Sequence, residues 1–431
     1  MISCVFYLNG QEQLSLIKAI KYGIENNHEI AIVINDSKLF KNNSHIGTAG
    51  ILPNITISSG YNASINNSNF AFNSFLDFGD GIGSNIEANK AQSSNINSAI
   101  NLNYTLFNGF SGIYSLKKIS KQHKLADLNA KYQIENKIID IIIKYYDLLN
   151  KENIYNVLYD TYNISLDRYN RVLEIYNYGS TSKIELLNAE VDLNTDLINL
   201  KNSQIDLNES RLNLALEIGV KDTTFILDSE FIFNQSLSLD SLKIRSKKNN
   251  SNLLIAQLNY QIAKQDLKIS KSQFAPKINL FSSYSFTNMK SETSFISEQK
   301  DFGLIGGINI ELPLFTSNIK RKNYQNAKIN LDSKNHQLQQ IYEIIESSIS
   351  STYTKYKRGL EIMDLQQENL NTYNLNFEKS KQLYLSGQID NIQFRESQVN
   401  LSRFQINYSA ILYSTKIQEY LLYQLSGMLE Y

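Results

Sequence analysis

The chain of 431 residues holds three prolines, so most of it must run as uninterrupted regular structure. Two of those prolines expose a duplication. Leu52-Pro53-Asn54-Ile55 and Ala275-Pro276-Lys277-Ile278 each open an alternating apolar segment, 223 residues apart. Asn26-Asn27-His28-Glu29-Ile30 and Asn249-Asn250-Ser251-Asn252-Leu253 each interrupt a helical pattern at the same 223-residue offset. Further on the offset is 208: Leu106-Phe107-Asn108-Gly109 answers Leu314-Phe315-Thr316-Ser317, Gly179 answers Gly387 and Gly219 answers Gly427. A tandem duplication with a longer loop in the first copy accounts for all of these matches.

Inside each copy the hydrophobic period switches twice. From Leu14 to about His45 apolar residues recur at three- and four-residue steps, a helical pattern. After Pro53 the period becomes two, with Ile55, Ile57, Ser59, Tyr61, Ala63 and Ile65 on one face and Thr56, Ser58, Gly60, Asn62 and Ser64 on the other. A second such segment runs from Ile96 to Leu106, and the other copy repeats the pair over Ile278–Phe286 and Phe302–Leu312. Four strands of about ten residues each are expected, long enough to cross a bilayer when tilted. The 72 positions between Phe107 and Gly179, and again between Phe315 and Gly387, lack proline and keep a coiled-coil-like rhythm of Leu, Ile and Tyr. After each of these glycines a shorter helix is expected to end at Gly219 or Gly427, where a helix C-cap favours glycine. The expected organisation is a first repeat over 11–219, an equatorial linker over 220–239, a second repeat over 240–427 and a short tail, 428–431.

Composition removes several function classes. Lys+Arg and Asp+Glu are both 42, which lacks the basic excess of a nucleic-acid binder. One cysteine and four scattered histidines supply neither a disulfide framework nor a zinc motif, so no metal or cofactor is expected. No run approaches eighteen apolar residues, which excludes a membrane-spanning helix but leaves an alternating β-barrel open. Asp77-Phe78-Gly79 and Asp301-Phe302-Gly303 mimic a kinase triplet without the accompanying glycine-rich loop, catalytic loop or strand lysine. Nothing assembles a nucleophile, a base and an oxyanion site, so no enzyme is expected. Met1–Gly10 is apolar before Gln11 and reads as the remnant of an export signal. Within it Cys4 fits either a lipoprotein cleavage box or a cysteine inside the removed signal.

The ordered set Asn-Asn-His-Glu-Ile, Leu-Pro-Asn-Ile, Leu-Phe-Asn-Gly and Tyr178-Gly-Ser-Thr-Ser-Lys-Ile-Glu-Leu-Leu187, in a duplicated helix, strand, strand, long helix, short helix unit, resembles the TolC-like outer-membrane efflux protein family. The resemblance covers about Gln11 to Gly427. It implies a mixed α and transmembrane-β fold: tandem-duplicated helical hairpins and four strands per subunit, which in a homotrimer close a twelve-stranded barrel above an α-helical tunnel. It also implies an outer-membrane location reaching into the periplasm, and a passive exit duct for multidrug or metal efflux or type I protein secretion. The implied partners are a periplasmic adaptor and an inner-membrane pump of the RND, ABC or MFS class. Independently of the resemblance, four strands cannot close a barrel alone, and open edges in lipid leave backbone groups unsatisfied. Tyr61, Tyr104 and Tyr284 suit the interfacial belts of such a barrel. The loop from Asn66 to Asn95, with Gly79-Asp80-Gly81-Ile82-Gly83, is expected to be flexible and to face outward.

The resemblance also points to a periplasmic entrance. Gly179 and Gly387 are its helix-turn tips. The two constriction positions that are acidic in the family fall on Gln393 and Glu396 here, leaving one acidic ring. Glu185 and Tyr384 match positions that bond to each other to keep the entrance closed. The family's basic position is Ile389 here, and Asp390 or Arg395 is available in its place. A rival reading, a soluble elongated coiled-coil scaffold or adaptor-like protein, rests on the long helices alone and must bury the apolar strand face in a core of its own.

Overall fold

The computed structural model describes residues 13–71, 85–221, 223–294 and 296–429. Met1–Gly10, the glycines of the first hairpin loop and the Asp77-Phe78-Gly79 triplet lie outside the described residues. The elements in order are β1 (Gln13–Leu14), α1 (Leu16–Asn26), α2 (His28–Asn43), β2 (Asn54–Ala71), β3 (Asn85–Phe107), α3 (Ser111–Asn177) and α4 (Lys183–Ile218), then β4 (Ile226–Leu227), α5 (Leu239–Asn249), α6 (Ser251–Ser272), β5 (Lys277–Ser291), β6 (Glu298–Glu311), α7 (Ile319–Leu385) and α8 (Asn391–Ser426). The duplication is visible in their lengths: α3 and α7 have 67 residues each, α4 and α8 have 36 each. Two compact units result, one of Met1–Lys38, Leu125–Gln257 and His336–Tyr431, the other of Leu39–Lys124 and Leu258–Asn335.

The second unit is built on a four-stranded antiparallel sheet in the order β2-β3-β5-β6. Its register sorts the side chains onto two faces, because successive residues of a strand point to opposite sides. Ile57, Ile100, Tyr284 and Leu304 form one row across all four strands, and Thr56, Asn101, Ser283 and Ile305 form the neighbouring row on the other face. On the polar face Asn101 donates to Ser58 Oγ (3.3 Å) and accepts from Ser283 Oγ (2.8 Å), while Thr105 donates to Asn279 (3.1 Å). On the apolar face the hydroxyls of Ser59 and Ser98 satisfy each other at 2.8 Å. That face is uncovered: Ile57 is 78% and Leu304 74% exposed.

The strands differ from the expectation of about ten residues. β2 has 18 and β3 has 23, so both run well into the segment expected to be a loop between Asn66 and Asn95. The pairing resumes beyond a bulge at Asn66/Ser68, where Asn67 accepts from the Lys90 amide (2.7 Å) and Lys90 takes a positive φ of 56°. Backbone pairing needs no alternation of side chains, and this stretch has no sustained period of two, with Phe70 paired with Ile86 among polar and small residues, so the periodicity does not reveal it. The tyrosines are also sorted. Tyr104 and Tyr61 lie on the apolar face eight rows apart through the pairing of Tyr61 with Ile96, about 27 Å along the strands at 3.4 Å per residue, and Ile65 continues that face beyond Tyr61. Tyr284 sits midway between them, opposite Ile100 and Leu304, and is no part of either belt.

The first unit holds two cores that repeat one another. Ile141 and Leu214 are fully buried in one, and Ile349 and Leu422, each 208 residues later, are fully buried in the other. Leu14, expected in a helix, lies instead in β1, paired in parallel with Leu227 of β4, and the helix starts after Ser15, which caps it by accepting from the Lys18 amide. The Tyr145 hydroxyl lies 2.9 Å from the carbonyls of both Leu14 and Asp228 and pins these two short strands. Each short helix ends on a left-handed glycine, Gly219 at φ 71° and Gly427 at φ 68°. Those ends abut the helix breaks at Asn26/Asn27 and Asn249/Asn250, where Asn250 donates to the Leu425 carbonyl (2.9 Å).

Two buried charge sites tie the first unit together. The Lys416 ammonium donates to Ile232 O (2.6 Å) and Glu419 (3.1 Å) and lies 5.3–5.7 Å from the rings of Phe231, Phe233 and Tyr420. Glu217 is paired with Lys137 (2.5 Å) and Lys144. Burial pushes the Glu217 carboxyl up, but the two lysines outweigh it and hold the group below its ordinary value of 4.5. A carboxyl depressed in the fold stabilises above its unfolded pKa and loses that contribution as pH falls through the folded value. Glu217→Gln is therefore expected to flatten the acid limb of stability. Unfolding midpoints measured from neutral pH down through the carboxylate range check this, and an acid limb identical to the parent's refutes it.

Candidate functional site

The two long-to-short helix turns of the first unit are built alike. At the end of α3 Gly179 (φ 74°) donates to Tyr176 O (2.8 Å) and Ser180 to Ile175 O (3.0 Å). At the end of α7 Gly387 (φ 75°) donates to Tyr384 O (3.1 Å) and Gln388 to Leu383 O (2.8 Å). These are the paired reverse bonds of a Schellman cap, and the left-handed residue they require is glycine in both copies. Three residues past each glycine comes the next N-cap. Ser182 accepts from the Glu185 amide (3.3 Å), and Asp390 accepts from the Gln393 amide (2.8 Å).

Tyr384 lies flat on Phe394 (4.7 Å between centroids, 11° between planes), and Phe394 stacks in turn on Phe377. The Arg171 guanidinium sits 5.5 Å from the Tyr384 ring and donates to the Leu385 carbonyl (2.8 Å), so a cation covers the C-terminal end of α7. Burial pushes the Tyr384 hydroxyl up; Arg171 and Arg168 pull it back and Glu185 adds to the rise. Glu185 takes its hydrogen bond from Thr181 (3.3 Å). Among the described residues Glu185 bonds Thr181 and not Tyr384, although its charge lies near enough to raise the tyrosine hydroxyl's pKa. Glu396 and Gln393 are exposed on α8, away from the aromatic stack.

What joins the helices is a buried polar knot that the sequence pattern did not single out. Arg395 of α8 makes a two-pronged bond to Asp196 of α4 (2.5 and 2.8 Å) and reaches Ser165 of α3 (3.1 Å). Gln398 donates to Thr161 O (2.7 Å) and Ser165 (3.0 Å), and Ser165 donates to Asp196 (2.5 Å). Arg168 pairs with Asp192 (2.7 Å) with its side chain fully buried, and its Nε and Nη1 have no hydrogen-bond partner among the described residues. Burial lowers its pKa, and Asp192 opposes that shift. Two arginines and two aspartates thus balance in charge across three helices. Arg395, read as a stand-in for the missing basic residue of the turn, does its bonding here instead. One signal was available: only eight of the 42 basic residues are arginine, and three of those eight, Arg168, Arg171 and Arg395, fall at this end. Planar two-pronged pairing with carboxylates favours arginine over lysine.

Solved structures that share this architecture include outer membrane channels. The chain matches CusC with a TM-score of 0.78 at 14% identity over 97% of this chain and 93% of that one. It matches the Campylobacter jejuni CmeC outer membrane channel with a TM-score of 0.80 at 16% identity over 96% and 85%, and the outer membrane protein VceC of Vibrio cholerae with 0.77 at 12% over 96% of both. Residues 245–428 match the sequence profile of the outer membrane efflux protein family. The fold is that of the TolC-like outer-membrane efflux proteins. No curated protein matches the chain. Residues 245–428 of this TolC-like fold carry the family's sequence signature, and the elements of the first half repeat those of the second. The matched structures are described as outer membrane proteins, and the matched profile is that of an efflux family.

Proposed function

We propose that the chain is one subunit of a homotrimeric channel-tunnel that passively conducts substrates expelled by an inner-membrane pump of the RND, ABC or MFS class and delivered through a periplasmic adaptor. The observation that carries this reading is the sheet of the second unit. Its apolar face is uncovered over all four strands, its opposite face is mainly hydroxyl and amide with Phe281 and Ile305 among them, and among the described residues its outer strands β2 and β6 leave their far edges unpaired. An isolated sheet of this kind is unstable in lipid. Closure with other copies satisfies the edges, turns the apolar face to lipid and leaves the polar face lining water. Three copies give twelve strands.

Reconstitution of the full chain in planar bilayers tests the reading. Discrete conductance steps together with three-fold hollow particles in negative stain are expected. Protein recovered without detergent as single rods, with no conductance, overturns it. At the entrance we assign the acidic ring to Glu396, with Gln393 one turn nearer the Gly387 tip. Glu396→Gln is expected to weaken cation preference and block by multivalent cations, since it removes the carboxylate that each subunit contributes. Reversal potentials in a salt gradient check this, and unchanged selectivity discards the assignment. The exported substrate class, multidrug, metal or polypeptide, is set in this reading by the pump.

A further inference from the structure

The balanced net charge of the chain hides a polar distribution. The unit that carries the sheet holds 17 Lys and Arg against 9 Asp and Glu, the other unit 25 against 33. Within the helical segments of the sheet-bearing unit the imbalance is 13 cations against two acids, Asp266 and Asp332. The cations gather where strands pass into helices. Lys320, Arg321 and Lys322 occupy the first turn of α7, which holds no acidic residue. There the helix macrodipole disfavours positive charge and favours an anion. In the first copy Lys117, Lys121 and Lys124 share one face of α3 with Leu116 and Ser120.

Next to the cations are uncovered apolar side chains. Leu314 is 90% and Phe315 79% exposed just before α7, and Phe110 is 55% exposed just before α3. Tyr104 marks this end of the apolar band. Bulky apolar groups followed within a turn or two by lysine and arginine match a membrane boundary, where the apolar part enters the acyl region and the cations stay at headgroup level. A second copy of the chain does not fit as the occupant, since the helical part of this unit offers two acids in all to meet thirteen cations.

We propose that the helix starts of α3 and α7 form a basic collar that binds the anionic headgroups of phospholipids in the leaflet facing the helices. The proposal rests on the channel reading above. In that reading the collar selects lipid and fixes the depth of the barrel in the membrane.

The test uses the full chain reconstituted into nanodiscs of equimolar phosphatidylglycerol and phosphatidylcholine, then released into detergent, with retained lipid counted by native mass spectrometry. Retention of phosphatidylglycerol over phosphatidylcholine of about fivefold or more is expected, the ratio that one well-placed cation supplies. The combined Lys320→Gln, Arg321→Gln, Lys322→Gln variant should fall toward parity. Lys320→Arg with Lys322→Arg should keep the preference, which separates charge from folding. If the triple variant fails to assemble, Lys117→Gln with Lys124→Gln carries the same expectation at the other helix start. Parity in the parent protein, or a preference untouched by charge removal at either start, overturns the collar. A parent that conducts but shows parity overturns the collar alone, while one that neither inserts nor conducts overturns the channel reading with it.

Discussion

Arg395→Met is expected to destabilise the helical unit by about 3–5 kcal/mol, the usual cost of stranding one partner of a buried ion pair. The reason lies in what remains. Asp196 is 6% exposed at its side chain and accepts two bonds from Arg395 and one from Ser165. With Arg395 gone, the carboxylate keeps a single hydroxyl donor in a site closed to water, and Gln398 loses the geometry that aligns it with Thr161 and Ser165. Asp196→Leu strands the positive side instead, with Arg168 already buried and short of partners. The double variant Arg395→Met with Asp196→Leu removes both charges, and its cost should be well below the sum of the single ones. Denaturant unfolding of the four proteins in one detergent measures the cycle. Additive losses would mean that the pair is solvated and that the knot does not hold α8 to α3 and α4. Because these helices end at the two turns of the proposed entrance, the single variants should also raise conductance in planar bilayers, and the double variant should raise it by less than the two single effects together.

The parts of this fold that the sequence made legible are those in which one residue type or one period meets a single physical demand. Pro53 and Pro276 stand just ahead of β2 and β5, and the four left-handed glycines at 179, 219, 387 and 427 end the helices that the apolar rhythm begins. The apolar faces of all four strands followed from a period of two. The rest depends on partners distant in the chain. The far ends of β2 and β3 are held by backbone pairing between short stretches in which Phe70 and Ile86 are the bulky apolar pair, so no sustained alternation announces them. β1 and β4 are two residues each and exist through a tyrosine hydroxyl from α3. The entrance knot joins positions 165, 196 and 395, and each of these looks alone like an ordinary polar residue on a helix. Transfer of roles by spacing placed Tyr384 and Glu185 opposite one another, but it could not foresee that Phe394 stacks on the tyrosine and Thr181 engages the glutamate.

Gly427→Ala is expected to cost more than Gly387→Ala, although both residues are left-handed helix caps with nearly equal φ, 68° and 75°. A side chain at either pays the left-handed penalty of about 1–2 kcal/mol. At Gly387 nothing lies within 4 Å of the added Cβ, so that penalty is the whole expected effect. At Gly427 the Cβ would stand 2.6 Å from the carbonyl carbon, the carbonyl oxygen and the Cβ of Asn249. Backbone cannot step aside there, because the helix break at Asn249/Asn250 is itself bonded to α8 through Asn250 and the Leu425 carbonyl. Relief requires moving the end of α8 away from α5, which opens the core around Leu422 and Leu242; overpacking of this kind adds about 1–3 kcal/mol. Gly219 repeats the contact with Asn26 at 2.8 Å, so Gly219→Ala should rank between the two. Unfolding midpoints of the three variants in a common detergent test the order. An equal loss at all three sites would show that the short helices do not press against the breaks, and the end-to-end stacking that the duplication produces would have to be abandoned.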